Sequence, residues 1–176
     1  MTPRLRPLCL ALAALIASPL AHAEKADRGK PVNIEADKVT VDDKNKIHIF
    51  EGHVILTQGT LTIRSDKLVV TQDMEGYQRG VATGGDGGLA RFRQKRDNKD
   101  EWVDGEGERL KHDARTELSQ FFLRARVKSG NDEVRGQYIQ YNGVTETYLV
   151  TNGPNATTLP SQQSRVQVTL QPKKKD

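Results

Sequence analysis

The chain has 176 residues, a formal net charge of +4, and 35% apolar and 5% aromatic residues. A charge this close to neutral excludes a dedicated nucleic-acid binder, whose basic excess is plain. A single cysteine, Cys9, excludes a disulfide framework and a thiolate metal site.

Residues 1–23 hold no acid, two arginines (Arg4, Arg6), an apolar run from Leu8 to Leu20 and the ending Ala21-His22-Ala23. That layout predicts a secretory signal peptide with an Ala-x-Ala cleavage site. Cleavage leaves 176 − 23 = 153 residues of formal charge (27 − 2) − 23 = +2, enough for one domain. Cys9 lies near the start of the apolar run, whereas a lipidated cysteine sits at its end. No later apolar run approaches the roughly 18 residues of a membrane-spanning helix. The expected destination is the periplasm. The expected organisation is a flexible start at 24–30, one domain over 31–170 and a basic flexible tail over 171–176.

Between Pro31 and Pro154 there is no proline, as central strands require. Period-two alternation recurs along this stretch. Val32 and Ile34 share one face. Phe50, Val54 and Leu56 share another, with Gly52 between them, and Leu61 and Ile63 repeat the pattern. From Leu89 to Lys95, Arg91, Arg93 and Lys95 lie opposite Ala90, Phe92 and Gln94. From Phe121 to Lys128, Leu123, Ala125 and Val127 are expected to face one way and Arg124, Arg126 and Lys128 the other. Half-buried antiparallel strands have this pattern. Helical spacing shows only over Glu106–Leu118. Turns are predicted at Asp97-Asn98-Lys99-Asp100 and Ser129-Gly130-Asn131-Asp132. Asn142-Gly143 predicts a two-residue hairpin between Tyr138–Tyr141 and Val144–Val150.

A weak repeat accompanies the strands. Ala36-Asp37-Lys38-Val39 returns as Ser65-Asp66-Lys67-Leu68, 65 − 36 = 29 residues later. Gly107-Glu108-Arg109-Leu110 and Gly136-Gln137-Tyr138-Ile139 fit the same slot at the same step. Units that cannot bury a face alone stack. The expected architecture is all-β: short antiparallel strands in two facing layers, extended rather than round. Such a stack has two open edges, around Val32–Ala36 and Arg165–Leu170, and unpaired strand edges invite strand addition. The edges differ in sequence, so their pairing is head-to-tail and gives a homo-oligomer.

No catalytic constellation is legible, and the chain is not expected to be an enzyme. His48, His53 and His112 lack partners at metal-ligand spacing, so no metal or cofactor is expected. Gly84-Gly85-Asp86-Gly87-Gly88 lacks the lysine and helix of a phosphate loop and reads as a connection between strands. The two runs Arg91, Arg93, Lys95 and Arg124, Arg126, Lys128 read first as solvated faces and second as contacts for anionic phosphates.

Three segments carry a resemblance: Pro31-Val32-Asn33-Ile34-Glu35-Ala36-Asp37, the run from Phe50-Glu51-Gly52-His53-Val54 to Gly59, and Ile63-Arg64-Ser65-Asp66-Lys67-Leu68-Val69-Val70. With Ala90-Arg91-Phe92-Arg93-Gln94 and Gly136-Gln137-Tyr138-Ile139 they resemble the organic-solvent-tolerance (OstA-like) family over about residues 31–170. The resemblance implies a folded-over antiparallel β-jellyroll of stacked short strands with an open apolar groove. In Gram-negative bacteria, lipopolysaccharide acyl chains would move along that groove towards the outer membrane. It also implies two partners, an inner-membrane anchored jellyroll component and the jellyroll domain of an outer-membrane translocon. On matching positions it assigns the groove lining to Val32, Ile34, Phe50, Val54, Leu56, Ile63 and Phe92. Leu123 completes the candidate lipid-binding set. Around Glu108–Ala114 the chain supplies Lys111, His112 and Asp113 where more apolar residues are expected. The alternative from the residues alone is a secreted carbohydrate-binding or carbohydrate-active β-sandwich, for which Trp102 is the only tryptophan.

Overall fold

The computed structural model of the protein describes residues 27, 29–76, 78–96, 99–152 and 165–172. The predicted signal segment 1–23, most of the predicted start 24–30, the Asp97-Asn98 half of one predicted turn and residues 173–176 of the tail lie outside the described residues. The chain is all-β and antiparallel. Its strands are β1 (Asn33–Glu35), β2 (Lys38–Asp42), β3 (Ile47–Gln58), β4 (Leu61–Gln72), β5 (Gln78–Thr83) and β6 (Ala90–Lys95). They continue with β7 (Trp102–Gly107), β8 (Arg109–Asp113), β9 (Leu118–Ser129), β10 (Asp132–Asn142), β11 (Thr147–Thr151) and β12 (Gln167–Thr169).

The register resolves these strands into two layers of eight. One layer runs β2, the first half of β3, the second half of β4, β5, β8, the first half of β9, the second half of β10 and β11. The other runs β1, the remaining halves of β3 and β4, β6, β7, the remaining halves of β9 and β10, and β12. Four long strands belong to both layers. β3 and β10 cross between them where the ladder shifts register, between Glu51 and Val54 and between Gly136 and Tyr138. A bulge bends a strand in this way. The result is a sheet folded over on a crease, with hairpin turns forming the opposite, open side.

The layers press together. The Phe121 ring of the first layer meets Phe92 of the second edge-on at 5.8 Å between centroids. Gly105 lies opposite the same ring: a Cβ there would sit 2.3 Å from Phe121 Cζ. Burial of such aromatic side chains stabilises by roughly 1.5–3 kcal/mol each.

The repeat acquires a physical meaning. Its small residues Ala36, Ser65, Gly107 and Gly136 mark the places where the chain passes from the second layer to the first. A longer step also emerges, 107 − 36 = 71 residues, relating 32–72 to 103–143. Positive φ recurs at Lys46 and Glu117, Gly52 and Leu123, His53 and Arg124, and Gly59 and Gly130. The Asp37 N–H donates to the Gly52 carbonyl at 3.0 Å, and the Glu108 N–H to the Leu123 carbonyl at 3.1 Å. The Gln72 N–H donates to Lys46 at 3.1 Å, and the Gly143 N–H to Glu117 at 2.9 Å.

Three expectations are corrected. Glu106–Leu118 holds no helix: it is the end of β7, all of β8, a turn at 114–117 and the first residue of β9. Asn142-Gly143 opens a four-residue turn, because the Asn142 side chain accepts from the N–H groups of Val144 and Thr145 at 2.9 and 3.0 Å and holds the backbone in that wider form. Tight two-residue hairpins fall instead at Gly59-Thr60, between paired Gln58 and Leu61, and at Gly130-Asn131, between paired Ser129 and Asp132. Leu123 does not share the inner face with Ala125 and Val127, because the crossing at Leu123-Arg124 interrupts the alternation.

Candidate functional site

Alternation on each layer turns one row of apolar side chains inward. Register links them strand by strand. In the second layer the row is Ile34, Leu56, Ile63, Phe92, Gly105, Val127, Val134 and Val168. In the first it is Val39, Phe50, Leu68, Ala82, Leu110, Phe121, Ile139 and Val150. The middle of both rows is fully buried, with Phe121 and Leu110 at 0% exposure, whereas the terminal Val39 and Val168 are 54% and 55% exposed. The interior is thus an apolar seam running the width of the molecule, filled at its centre and exposed at both edges.

Seven of the sequence-predicted residues belong to this seam. Val54, Leu56, Ile63 and Phe92 lie in the buried cluster, with Val32, Ile34 and Phe50 packed against it. Leu123 instead packs against Phe122 and Tyr138 in a separate cluster. There the Arg109 guanidinium covers the Phe122 ring at 4.3 Å. Residues that sequence reasoning missed include Phe121, Val127 and Val134. The signal was present, since adding 71 to Phe50, Leu56 and Ile63 reaches each of them in turn.

At the C-terminal edge the seam opens into a cleft of about 980 Å³. Its apolar lining includes Val127, Val134, Tyr148 and Leu170, and its rim carries Arg96, Lys99 and Lys128. Burial pushes the Tyr148 phenol up from its ordinary range. On the open side, the turn after β6 meets the turn before β11. Arg96 donates through Nε and Nη2 to the Glu146 carboxylate and through Nη1 to Glu101 at 2.7 Å. Lys99 Nζ reaches Glu146 at 3.0 Å. The Arg96 hydrogen bond, with Lys99 beside it, holds the Glu146 carboxyl down at about 2.

Polar groups also enter the seam, at Ser65, His112 and Ser119. His112 Nδ1 lies 3.0 Å from Ser119 Oγ, and its ring faces Phe92 at 6.2 Å between centroids. Burial pushes this imidazole down to about 4. The arginine runs lie on the outer faces, paired with acids: Arg93 with Asp104 at 3.3 Å, Arg124 with Glu108 at 2.8 Å, and Arg126 with Glu133 at 2.7 Å. Alternating charges across strands suit a solvated face.

The protein family described as "LptA/(LptD N-terminal domain) LPS transport protein" matches residues 33–147. Lipopolysaccharide export system protein LptA of Escherichia coli is 35% identical over 143 residues, covering 81% of this chain and 72% of that one. LptA of Haemophilus influenzae is 29% identical over 139 residues, covering 79% and 80%. LptH of Pseudomonas aeruginosa is 26% identical over 170 residues, covering 96% and 95%. The crystal structure of LptH, described as the LptA-homologous periplasmic component of the lipopolysaccharide transport device, superposes with a TM-score of 0.76 at 20% identity. That fold covers 84% of this chain and 99% of the LptH chain.

Proposed function

Because the chain belongs to the LptA/(LptD N-terminal domain) family of LPS transport proteins, we propose that it is a periplasmic lipopolysaccharide carrier. It shields acyl chains between its two layers during export to the cell surface. The observation that supports this reading is the apolar seam, exposed at both edges of a sheet that stays open among the described residues. Each methylene moved from water into the seam contributes roughly 0.8 kcal/mol. Residues 1–23 act as the cleaved signal, and Val32, Ile34, Phe50, Val54, Leu56, Ile63 and Phe92 contact the acyl chains. A photo-reactive residue at Ile34 or Phe92 is expected to capture lipopolysaccharide in living cells, and one at Arg93 or Lys38 much less. Equal capture on both faces would remove the seam from the transport path.

The same reading extends to assembly. The junction between the two units inside the chain, which the 71-residue step relates, is a template for a junction between chains. Ala82 of β5 pairs with Leu110 of β8, and Phe92 of β6 with Gly105 of β7. The free edges carry the corresponding positions. Val150 occupies the place of Ala82 and Val168 that of Phe92, while Val39 and Ile34 correspond to Leu110 and Gly105. A head-to-tail dimer therefore sets Val150 opposite Val39 and Val168 opposite Ile34, continuing both rows. The inner- and outer-membrane jellyroll partners use the same two edges. A Val39→Cys, Val150→Cys double variant is expected to oxidise into covalent dimers and longer chains, and a Lys38→Cys, Val150→Cys variant is not. Equal cross-linking by both would break the register.

A further inference from the structure

We propose that Arg96 and Lys99 form a binding site for the phosphate of a phosphorylated lipid headgroup, and that the Glu146 carboxylate occupies this site when no lipid is bound. The inference rests on the carrier reading above and adds to it the place where the polar end of the ligand is held.

The geometry carries it in three steps. Arg96 lies in the turn after β6, in the second layer, and Glu146 in the turn before β11, in the first, so their contact spans the open side of the fold. Arg96 offers Glu146 two N–H donors in the fork arrangement that serves carboxylates and phosphates alike, and Lys99 adds a point charge at 3.0 Å. The same two cations line the rim of the cleft of about 980 Å³ whose floor is Val127, Val134, Tyr148 and Leu170. Cleft volumes of roughly 300–1,000 Å³ hold small-molecule-sized groups. An alkyl chain seated on that floor brings an attached phosphate to the rim.

A phosphate monoester carries a charge of about −1.5 to −2 near neutral pH and three acceptor oxygens, against one charge and two oxygens on a carboxylate. It can therefore displace Glu146 from Arg96 and Lys99 when the acyl chain holds it nearby. Displacement has a mechanical consequence, because it releases the β11 side of the first layer from the turn of the second. Headgroup capture and opening of the lipid entrance become one event. Arg93, Arg124 and Arg126 do not compete for this role: their carboxylate partners lie on the outer faces, away from the seam. Lys128 lies on the same rim as Arg96 and Lys99 and adds to its positive charge.

The test compares binding of diphosphoryl lipid A, the same lipid A stripped of its phosphates, and inorganic phosphate to the purified protein and its variants. Thermal unfolding is recorded in parallel. The wild type is expected to prefer the phosphorylated lipid about tenfold. Arg96→Gln should lose most of that preference, Arg96→Lys should keep part of it, and Glu146→Gln should bind the phosphorylated lipid about three- to tenfold more tightly. Opposite shifts for the two partners mark Glu146 as a competitor. A purely structural ion pair would weaken binding from either side, and parallel losses would overturn the proposal. So would equal binding of both lipids by the wild type. Inorganic phosphate binding at Arg96, with lipid binding indifferent to phosphorylation, would reassign the site to free phosphate. Failure of the wild type to bind either lipid would instead overturn the carrier reading and this inference with it.

Discussion

The two units related by the 71-residue step, 32–72 and 103–143, use one backbone and two sets of side chains. At the crossing of the first, Gly52 and His53 stand where the second has Leu123 and Arg124, all four at positive φ. His53 pairs with Asp37 at 2.8 Å, and Arg124 with Glu108, the matching residue, also at 2.8 Å. On the inner face, Ile34 and Val41 of the first unit correspond to Gly105 and His112 of the second. The difference follows position in the stack. The first unit ends the sheet among the described residues, so Val41 is 52% exposed. In the second unit, β6 and β5 cover the same strands from the side, and Phe121 presses on Gly105. Backbone geometry is set by the fold of the unit, and side-chain identity by what the neighbouring unit leaves room for.

The largest way to test this contrast is His112. Its imidazole is held neutral by burial, with Glu117 and Asp113 favouring the proton only secondarily. An unfolded histidine titrates near 6.5 and this one near 4. Between those pH values the unfolded chain takes up a proton that the folded chain refuses, so stability falls as pH falls. The loss levels off below about 4, at a total of roughly 3 kcal/mol. His112→Val, which installs the residue of the first unit, should abolish this component. Urea unfolding at pH 7 and pH 4.5 measures it: the wild type should lose about 2–3 kcal/mol more than the variant. Equal losses would mean that the imidazole is solvated.

Much of this was legible in the sequence. Alternation and the turn signals located β1, β3, β4, β6, β9, β10, β11 and β12, but not β2, β5, β7 or β8, and alternation put seven of the eight candidate residues on the inner face. The 29-residue step falls on the four small residues at which the chain passes from the second layer to the first. What escaped was non-local. The helical spacing over Glu106–Leu118 arose from two short strands of different layers read as one element. Leu123 was misplaced because a crossing costs two residues that alternation counts as strand. Arg96 and Glu146 are 50 positions apart, and no local pattern announces that two turns will meet.

A smaller effect separates the crossings themselves. Gly52 has φ +81°, and a Cβ there would lie 2.2 Å from Asp37 Oδ2. Gly52→Leu adds about 1–2 kcal/mol of left-handed backbone strain and pushes Asp37 away from His53. The expected cost is roughly 2–3 kcal/mol in thermal or urea unfolding. A cost below about 0.5 kcal/mol would show that the crossing tolerates any residue and that the pairing with Asp37 contributes nothing.

The reverse substitution, Leu123→Gly, has the smallest expected effect, because its terms oppose one another. Leu123 already carries the strain, at φ +61°, and removing its Cβ relieves about 1 kcal/mol. The side chain also packs against Phe122 and Tyr138, and its loss uncovers part of that cluster at a cost of about 1 kcal/mol. Glycine adds freedom to the unfolded chain, worth roughly 0.5–1 kcal/mol against folding. The sum is a destabilisation of about 1 kcal/mol or less, several-fold below that of Gly52→Leu at the matching position. Phe122 and Tyr138 report separately on the packing term, since their hydrogen-exchange and aromatic signals should change while the inner seam around Phe121 stays as it is. A loss of 3 kcal/mol or more would mean that Leu123 closes the crease by packing, with the backbone strain offset many times over, and the two crossings would then be held by different forces despite their shared geometry.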